Sequence, residues 1–133
     1  FATNPHLTRG NFDALRDLAI AARVARVQTL LVVNPAVPAR DVRELVALAR
    51  ARPGALSYPS SGVGSFQHLG MARLVGEDMV HVPYTGAGAV LPDLLAGRTH
   101  AFCGALNSLL PHVRAGTLRA LAAMTPNRAA LLP

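Results

Sequence analysis

The chain has 133 residues, of which 51% are hydrophobic and 15% are charged, enough for one compact domain with a buried core. Its formal net charge of +6 comes from thirteen Arg and no Lys, against seven acidic residues. This composition, with a mean hydropathy of +0.32, excludes a disordered or fibrous chain, and no apolar run approaches the ~18 residues that cross a bilayer.

The first half of the chain carries two predicted strands around one helix. A β-branched run over Val27–Val33 predicts a strand that is buried on both faces. Asp41 and Glu44 form a capping box that opens a helix, and Pro53-Gly54 closes it. The second predicted strand covers Ala55–Tyr58.

In the second half, loops, helices and strands alternate regularly. In chain order the predicted elements are a Ser- and Gly-rich loop (Pro59–Gly64), a helix (Ser65–Val75), a strand (Met79–Val82), a second Gly-rich loop (Thr85–Gly88) with a helix to Gly97, a strand (Thr99–Cys103), a helix (Asn107–Ala115) and a strand (Leu118–Met124). This alternation predicts an α/β domain with a mainly parallel five-stranded sheet and helices on both faces.

Ligands of such sheets bind at the carboxyl ends of the strands, where the two Gly-rich loops are expected. Glycines let a ligand approach the backbone, and free N–H groups at a helix start attract anions. The first loop is not a standard nucleotide loop, because position 67 is Gln67 rather than Gly and the absence of Lys excludes a Walker A motif. An ordinary turn with a serine cap would fit the same pattern.

The remaining chemistry-bearing residues are scattered. The arginines are spread along the chain and stacking residues are few, so no nucleic-acid partner is expected. Cys103, the one cysteine, excludes an internal disulfide and is expected to be a buried small hydrophobe. Ser65 and His68 lie one helical turn apart without a G-x-S-x-G elbow, so no catalytic residue is expected. No metal site or cofactor is expected either, because five histidines lack a ligand spacing: His6, His68, His81, His100 and His112.

Several ordered motifs nevertheless resemble one family. They are Val32-Val33-Asn34-Pro35, Pro53-Gly54-x-Leu56-x-Tyr58, Ser60-Ser61-Gly62-x-Gly64-Ser65-x-x-His68-Leu69, Val80-His81-Val82-Pro83-Tyr84-x-Gly86, Asp93-Leu94-Leu95-x-Gly97 and Ser108-x-Leu110-Pro111-His112. Together they resemble the receptors of tripartite tricarboxylate transporters, the Bug family of extracytoplasmic solute-binding proteins. The resemblance covers nearly the whole chain.

The resemblance implies a periplasmic receptor without enzymatic activity, which captures a small carboxylate solute for the permease subunits of a transporter. It implies one lobe of a type II periplasmic-binding-protein fold, with the second domain over residues 27–124, including its hinge strands. Residues 1–26 would be the tail of a first domain and residues 125–133 a C-terminal stub, and no signal-peptide pattern follows Phe1. A homodimer of the isolated chain, or a swapped N-terminal segment, is expected to use residues 1–26 to cover the apolar face left by the first domain, and light scattering should detect the dimer.

The family motifs also imply which residues bind the solute. They are Ser60, Ser61, Gly62, Val63, Gly64, Ser65, His68, Tyr84, Thr85 and Gly86, with the backbone N–H groups of residues 62–65 as the main donors. The chain departs from the family at Thr85, often a Lys, and at Gly104, where an acid is common in the loop expected after Cys103. A nucleotide- or anion-binding α/β enzyme domain that uses the same Gly-rich loops is the alternative.

Overall fold

Five short strands alternate with four helices in this protein, whose computed structural model describes residues 13, 16–19 and 21–125. The strands are β1 (Thr29–Val33), β2 (Ser57–Ser60), β3 (Val80–Pro83), β4 (Ala101–Ala105) and β5 (Arg119–Ala123). The helices are α1 (Val42–Ala51), α2 (Phe66–Val75), α3 (Val90–Leu95) and α4 (Leu106–Arg114), with a 3-10 turn at Ala87–Ala89. The predicted α/β class and order of elements are confirmed.

The sheet prediction is wrong in one respect, because the strands do not form one mainly parallel sheet. β2 and β3 pair in parallel, whereas β1 lies between β4 and β5 and pairs antiparallel with both. Each strand–helix–strand unit, β2-α2-β3 and β4-α4-β5, does join two strands of one direction. β1 precedes both units, and the alternation of elements does not specify that it fills the gap between β4 and β5.

Pro59 interrupts the hydrogen bonding between the two sheets. The prediction placed Pro59 in a loop, but Pro59 and Ser60 belong to β2, which lies beside β4. The amide of His100 donates to the carbonyl oxygen of Ser57 at 3.0 Å, which links the start of β2 to the start of β4. Backbone groups alternate sides along a strand, so the backbone nitrogen of Pro59 faces β4, as the carbonyl oxygen of Ser57 does. Because proline has no N–H, Pro59 cannot donate a hydrogen bond to β4.

Apolar side chains of β1 alternate between two cores, because helices cover both faces of the sheet. Leu31 and Val33 pack with residues of α1 and α2, whereas Leu30 and Val32 pack with residues of α3 and α4. All four side chains are buried, which explains why this strand is a continuous apolar run. The predicted coverage of both faces is confirmed.

Local side-chain bonds fix the starts of α1 and α2. The amide of Glu44 donates to Oδ1 of the N-cap Asp41 at 2.8 Å, as the capping box predicts. The Glu44 carboxylate accepts the amide of Arg40 at 2.6 Å, one residue before the N-cap amide that a capping box uses. Ser65 is the N-cap of α2. Between residues 21 and 125 no helix has the length and apolar character needed to cross a membrane.

One edge of the fold contains the carboxyl ends of β2, β3, β4 and β5 and the start of the antiparallel strand β1. Thr29, at the start of β1, pairs with Ala105 at the end of β4, and Met124, just after β5, donates its amide to the carbonyl oxygen of Thr29 at 2.8 Å. Because β2 and β4 start together and β2 and β3 are parallel, the loops after β2 and β3 open on this same edge.

Candidate functional site

The first loop (Ser60–Ser65) and the second loop (Tyr84–Gly88) lie side by side at this edge. The amide of Tyr84 donates to the carbonyl oxygen of Ser60 at 2.9 Å. A Cβ added to Gly62 would lie 3.9 Å from the carbonyl oxygen of Tyr84. The expectation that the two Gly-rich loops share one edge is therefore confirmed.

Ser60 holds the first loop from inside. Its side chain is buried, and its Oγ accepts the amide N–H of Gly62 at 3.1 Å. The same Oγ lies 3.0 Å from the Gly62 carbonyl oxygen and 2.7 Å from Nε2 of His81. This hydroxyl therefore braces the turn rather than facing solvent, which differs from the expectation that it is presented to a solute.

Other polar groups of the first loop are bonded to the loop itself or to the first turn of α2. Ser61 Oγ donates to Oε1 of Gln67 at 3.0 Å, and Ser65 Oγ accepts the amide of His68 at 3.3 Å. The amide of Gly64 donates to Nδ1 of His68 at 3.1 Å, and the amide of Ser65 to the Gly62 carbonyl oxygen at 3.3 Å. A solute that binds these two amides has to replace His68 Nδ1 or the Gly62 carbonyl oxygen as the acceptor.

The backbone of the first loop requires glycine at two positions. Gly62 has φ +125° and Gly64 has φ +78°, a region that L side chains rarely adopt. Val63, between them, exposes its side chain. The spacing Gly62-x-Gly64 is therefore explained by the turn itself.

Three rings stack directly beneath the first loop. The centroids of His68 and His81 are 4.1 Å apart, and Tyr58 lies 5.1 Å from His81 and 6.5 Å from His68. The cluster was not predicted, because its three residues are far apart in the sequence and the histidines there have no common spacing. Parallel pairing of the strands, which puts Tyr58 opposite His81, was the signal that could have found it.

Burial controls the protonation of two histidines near the sheet. Burial lowers the pKa of His81 from its usual value of 6.5, and the neighbouring His68 lowers the pKa of His81 further. Burial also lowers the pKa of His100. The Nδ1 atom of His100 lies 3.0 Å from both the amide N and the Oγ of Ser57, and as a neutral acceptor it fixes the start of β2.

These lowered pKa values predict that the free energy of unfolding decreases as the pH is lowered. The unfolded chain takes up protons first as the pH drops through about 6.5, so the stabilisation is complete above that pH and is lost towards the folded pKa. Denaturant midpoints should therefore be lower at about pH 5.5 than at about pH 7.5. His100→Asn keeps an acceptor for Ser57 and should show a smaller decline, whereas the control His112→Asn on α4 should match the parent. If the denaturant midpoint of His100→Asn falls as much as that of the parent, His100 does not cause the loss of stability at low pH.

The second loop is fixed at its start and open beyond it. The Tyr84 hydroxyl donates to Asp93 at 2.6 Å, and Arg98 forms an ion pair with the same carboxylate at 2.6 Å. The hydrogen bond from Tyr84, followed by that from Arg98, lowers the pKa of Asp93. Thr85 is exposed, and a Cβ added to Gly86 would meet no atom within 4 Å. Residues 85 and 86 therefore leave space for a ligand.

Gly104 lies within β4 and not in a loop after it, which corrects the prediction. A Cβ added there would lie 3.0 Å from Cδ1 and Cζ of Phe102 and closer still to Cε1. The Phe102 ring thus occupies the space that a side chain at position 104 would need. An acidic side chain at position 104 could be accommodated only if this ring moved.

Apolar side chains surround the first loop on the solvent side. Val63, Phe66, Leu69 and Met124 are between 42% and 65% exposed, although they belong to the loop, to α2 and to the segment after β5. Met124 also contacts the interior, because its Sδ lies 2.7 Å from Sγ of Cys103. These four exposed apolar residues are named the apolar rim below.

Neither metal binding nor thiol chemistry is indicated at this edge. Among the residues that the structure describes, no group of three or more His, Cys, Asp or Glu side chains could hold a metal ion. Burial raises the pKa of Cys103 to about 11, which keeps its thiol protonated and unreactive. The expectation that Cys103 is a buried small hydrophobe is confirmed.

Comparison with known proteins identifies relatives across the whole chain. Residues 1–133 match the sequence profile described as "Tripartite tricarboxylate transporter family receptor". Protein BugT of Bordetella pertussis is 32% identical over 126 residues, which are 92% of this chain and 38% of BugT.

Two solved structures share the fold. The R. palustris protein Rpa4515, determined with adipate, superposes with a TM-score of 0.72 at 37% identity, over 78% of this chain and 36% of that protein. MatC (Rpa3494) from Rhodopseudomonas palustris, with bound malate, gives a TM-score of 0.70 at 25% identity, over 77% and 36%. The chain thus spans well under half the length of the proteins that it matches.

Proposed function

The chain belongs to the tripartite tricarboxylate transporter family of receptors, and on that premise we propose that it supplies one lobe of a receptor that captures a small carboxylate. The observation that carries this proposal is the pairing of the two loops at one edge, where Tyr84 is hydrogen-bonded to Ser60. Dicarboxylates, adipate and malate, are bound in the two similar structures. Ser61, Gly62, Val63, Gly64, Ser65, His68, Tyr84, Thr85 and Gly86 are the proposed contact residues, and the buried Ser60 braces the loop behind them.

Anion binding at this edge does not require an Arg or Lys side chain. The first loop and residues 84–86 contain neither, so N–H and O–H groups of the loops, together with His68, have to supply the attraction. Each charge-assisted hydrogen bond contributes about 1.5–3 kcal/mol, and the dipole of α2 contributes roughly 0.3–1 kcal/mol more. Two or three such bonds suffice to favour a carboxylate over a neutral solute.

The position of the loops fits the cleft between two lobes of a type II periplasmic-binding-protein fold. The chain enters β1 at Thr29 and leaves β5 at Met124 beside the loops, where a first lobe would join. We assign residues 27–124 to the second lobe, with 1–26 and 125–133 as flanking segments that lie largely outside the described residues. The apolar rim would then pack against the first lobe, and a homodimer of the isolated chain would cover the same surface.

Partners and location follow from the family. A receptor of this family would deliver the solute to the membrane permease subunits of its transporter, in the periplasm. The alternative of a nucleotide-binding or enzymatic domain finds no support, because the matched family is described as a receptor. Nucleotides therefore serve as the competing ligand in the test.

An amide NMR titration of the 133-residue chain tests the proposal, because it detects weak binding to one lobe. Adipate or malate should shift the amides of Ser61–Ser65 and of Gly86, while the amide of Gly116, in the turn after α4, should not move. Shifts of the loop amides with a nucleotide but not with either dicarboxylate would contradict the receptor function. Loop amides that respond to neither ligand would contradict an anion site on this lobe.

A further inference from the structure

We infer that His68 takes up a proton when a carboxylate binds the first loop, so that this site binds its anion together with H⁺. The inference deepens the proposed function and rests on it. Its basis is the position of one imidazole nitrogen. Nδ1 of His68 lies 3.1 Å from the amide nitrogen of Gly64 and accepts its N–H. An acceptor must carry a lone pair, so Nδ1 is unprotonated in this arrangement.

A carboxylate can reach the Gly64 amide only by replacing this imidazole nitrogen as the acceptor. A displaced neutral Nδ1 would turn its lone pair towards the anion, which is repulsive, unless the Nε2 proton moves to Nδ1. The neutral tautomer with Nδ1–H donates one hydrogen bond, whereas the imidazolium donates the same bond and adds the attraction of opposite charges, so the carboxylate favours the charged form. The anion also stabilises the positive charge that the proton brings. Binding at this amide and protonation of His68 therefore favour one another.

Without the anion, no described acidic side chain faces the His68 ring as a counter-charge. His68 lies in the first turn of α2, where the helix dipole disfavours cations. Tyr58 of β2 and His81 of β3 face its ring, and burial raises the pKa of Tyr58, so neither residue supplies a counter-charge. Of the neighbouring elements, β4 presents the buried thiol of Cys103 to α2, and the charged residues of α1 (Arg43, Glu44 and Arg50) are exposed.

His81 limits the uptake to a single proton. Its ring stacks on that of His68 at 4.1 Å, a distance at which two positive charges repel strongly. Burial lowers the pKa of His81, so the charge falls on His68. His81 Nε2 lies 2.7 Å from Ser60 Oγ. Because His81 stays neutral, this bond is retained whether His68 is neutral or protonated, and it keeps the loop in place.

The test follows the imidazole nitrogens of the 133-residue chain by long-range ¹H–¹⁵N NMR, with adipate or malate as the probe. At about pH 7, saturating dicarboxylate should convert His68 from a neutral to an imidazolium pattern while His81 stays neutral. One proton per ligand also predicts that the Kd rises up to about tenfold per pH unit between about pH 6 and pH 8. His68→Asn, whose Oδ1 can accept the Gly64 amide but cannot be protonated, should bind more weakly and without this pH dependence. The control His112→Asn should behave as the parent.

The outcomes separate the two proposals. Loop amides that shift with dicarboxylate while His68 stays neutral, with a Kd that is the same across the pH range, would overturn proton uptake and leave the receptor function intact. Loop amides that never respond to dicarboxylate would overturn both. If His68→Asn fails to fold, the nitrogen shifts of His68 in the parent chain decide the question alone.

Discussion

Replacement of Asn34 by alanine is expected to lower the free energy of unfolding by about 2–4 kcal/mol. Asn34 follows β1 and is 7% exposed. Its Nδ2 donates to the carbonyl oxygens of Leu94 and Leu95 at 2.8 and 3.2 Å, and its Oδ1 accepts the amide of Ala36 at 2.9 Å. Alanine removes all three bonds and leaves these backbone groups without that partner, in a place that water reaches poorly.

Urea denaturation measures this loss, with Asn107→Ala as the matched control. Asn107 is an exposed asparagine on α4, and its replacement should change stability by less than about 0.5 kcal/mol. Asn34→Asp should be at least as damaging as Asn34→Ala, because it sets a carboxylate oxygen against the two helix carbonyls. Equal midpoints for Asn34→Ala and Asn107→Ala would show that the amide does not hold α3 to β1.

Gly64→Val is expected to abolish the binding of dicarboxylate by the first loop. Two effects combine at this position. Valine at φ +78° strains the turn by about 1–2 kcal/mol, and its side chain blocks the approach of an anion to the loop amides. The measurement is the amide titration with adipate, in which the shifts of residues 61–65 should disappear.

Gly54→Val separates backbone strain from the blocking of a ligand. Gly54 has the same φ of +78°, meets no atom within 4 Å of an added Cβ, and lies before β2 at the edge away from the loops. Both variants should lose a similar amount of thermal stability, while Gly54→Val keeps the dicarboxylate response. Retained binding in Gly64→Val, with the fold intact by circular dichroism, would place the anion elsewhere.

Local sequence signals predicted most elements because their physical causes are local. The capping box at Asp41 and Glu44 contains its own hydrogen-bond partners, so its outcome depends on four consecutive residues. The shared edge of the two loops also followed from sequence, since parallel strands joined by one helix must end on the same side. These predictions required no knowledge of distant contacts.

Contacts between distant segments explain what the sequence did not reveal. The direction of β1 depends on β4 and β5, which follow it by about seventy and ninety residues and are formed from unrelated stretches of chain. The stack of His68 on His81 depends on the register that places Tyr58 opposite His81. The sequence also did not predict that loop amides are already hydrogen-bonded, because an acceptor such as His68 Nδ1 is a side chain whose position depends on the fold.

The adjacency of Thr29 and Met124 allows residues 29–124 to be transferred as a unit into another protein. Because Thr29 and Met124 are hydrogen-bonded neighbours, residues 29–124 can be inserted into a surface loop of a host protein whose ends are about 5 Å apart. Neither the host loop nor the inserted segment has to stretch. A host of this kind would receive the edge that carries the two Gly-rich loops next to its own surface. The same arrangement allows circular permutants in which a short turn joins Met124 to Thr29. The new termini would then lie at an exposed position such as Gly54, on the opposite edge.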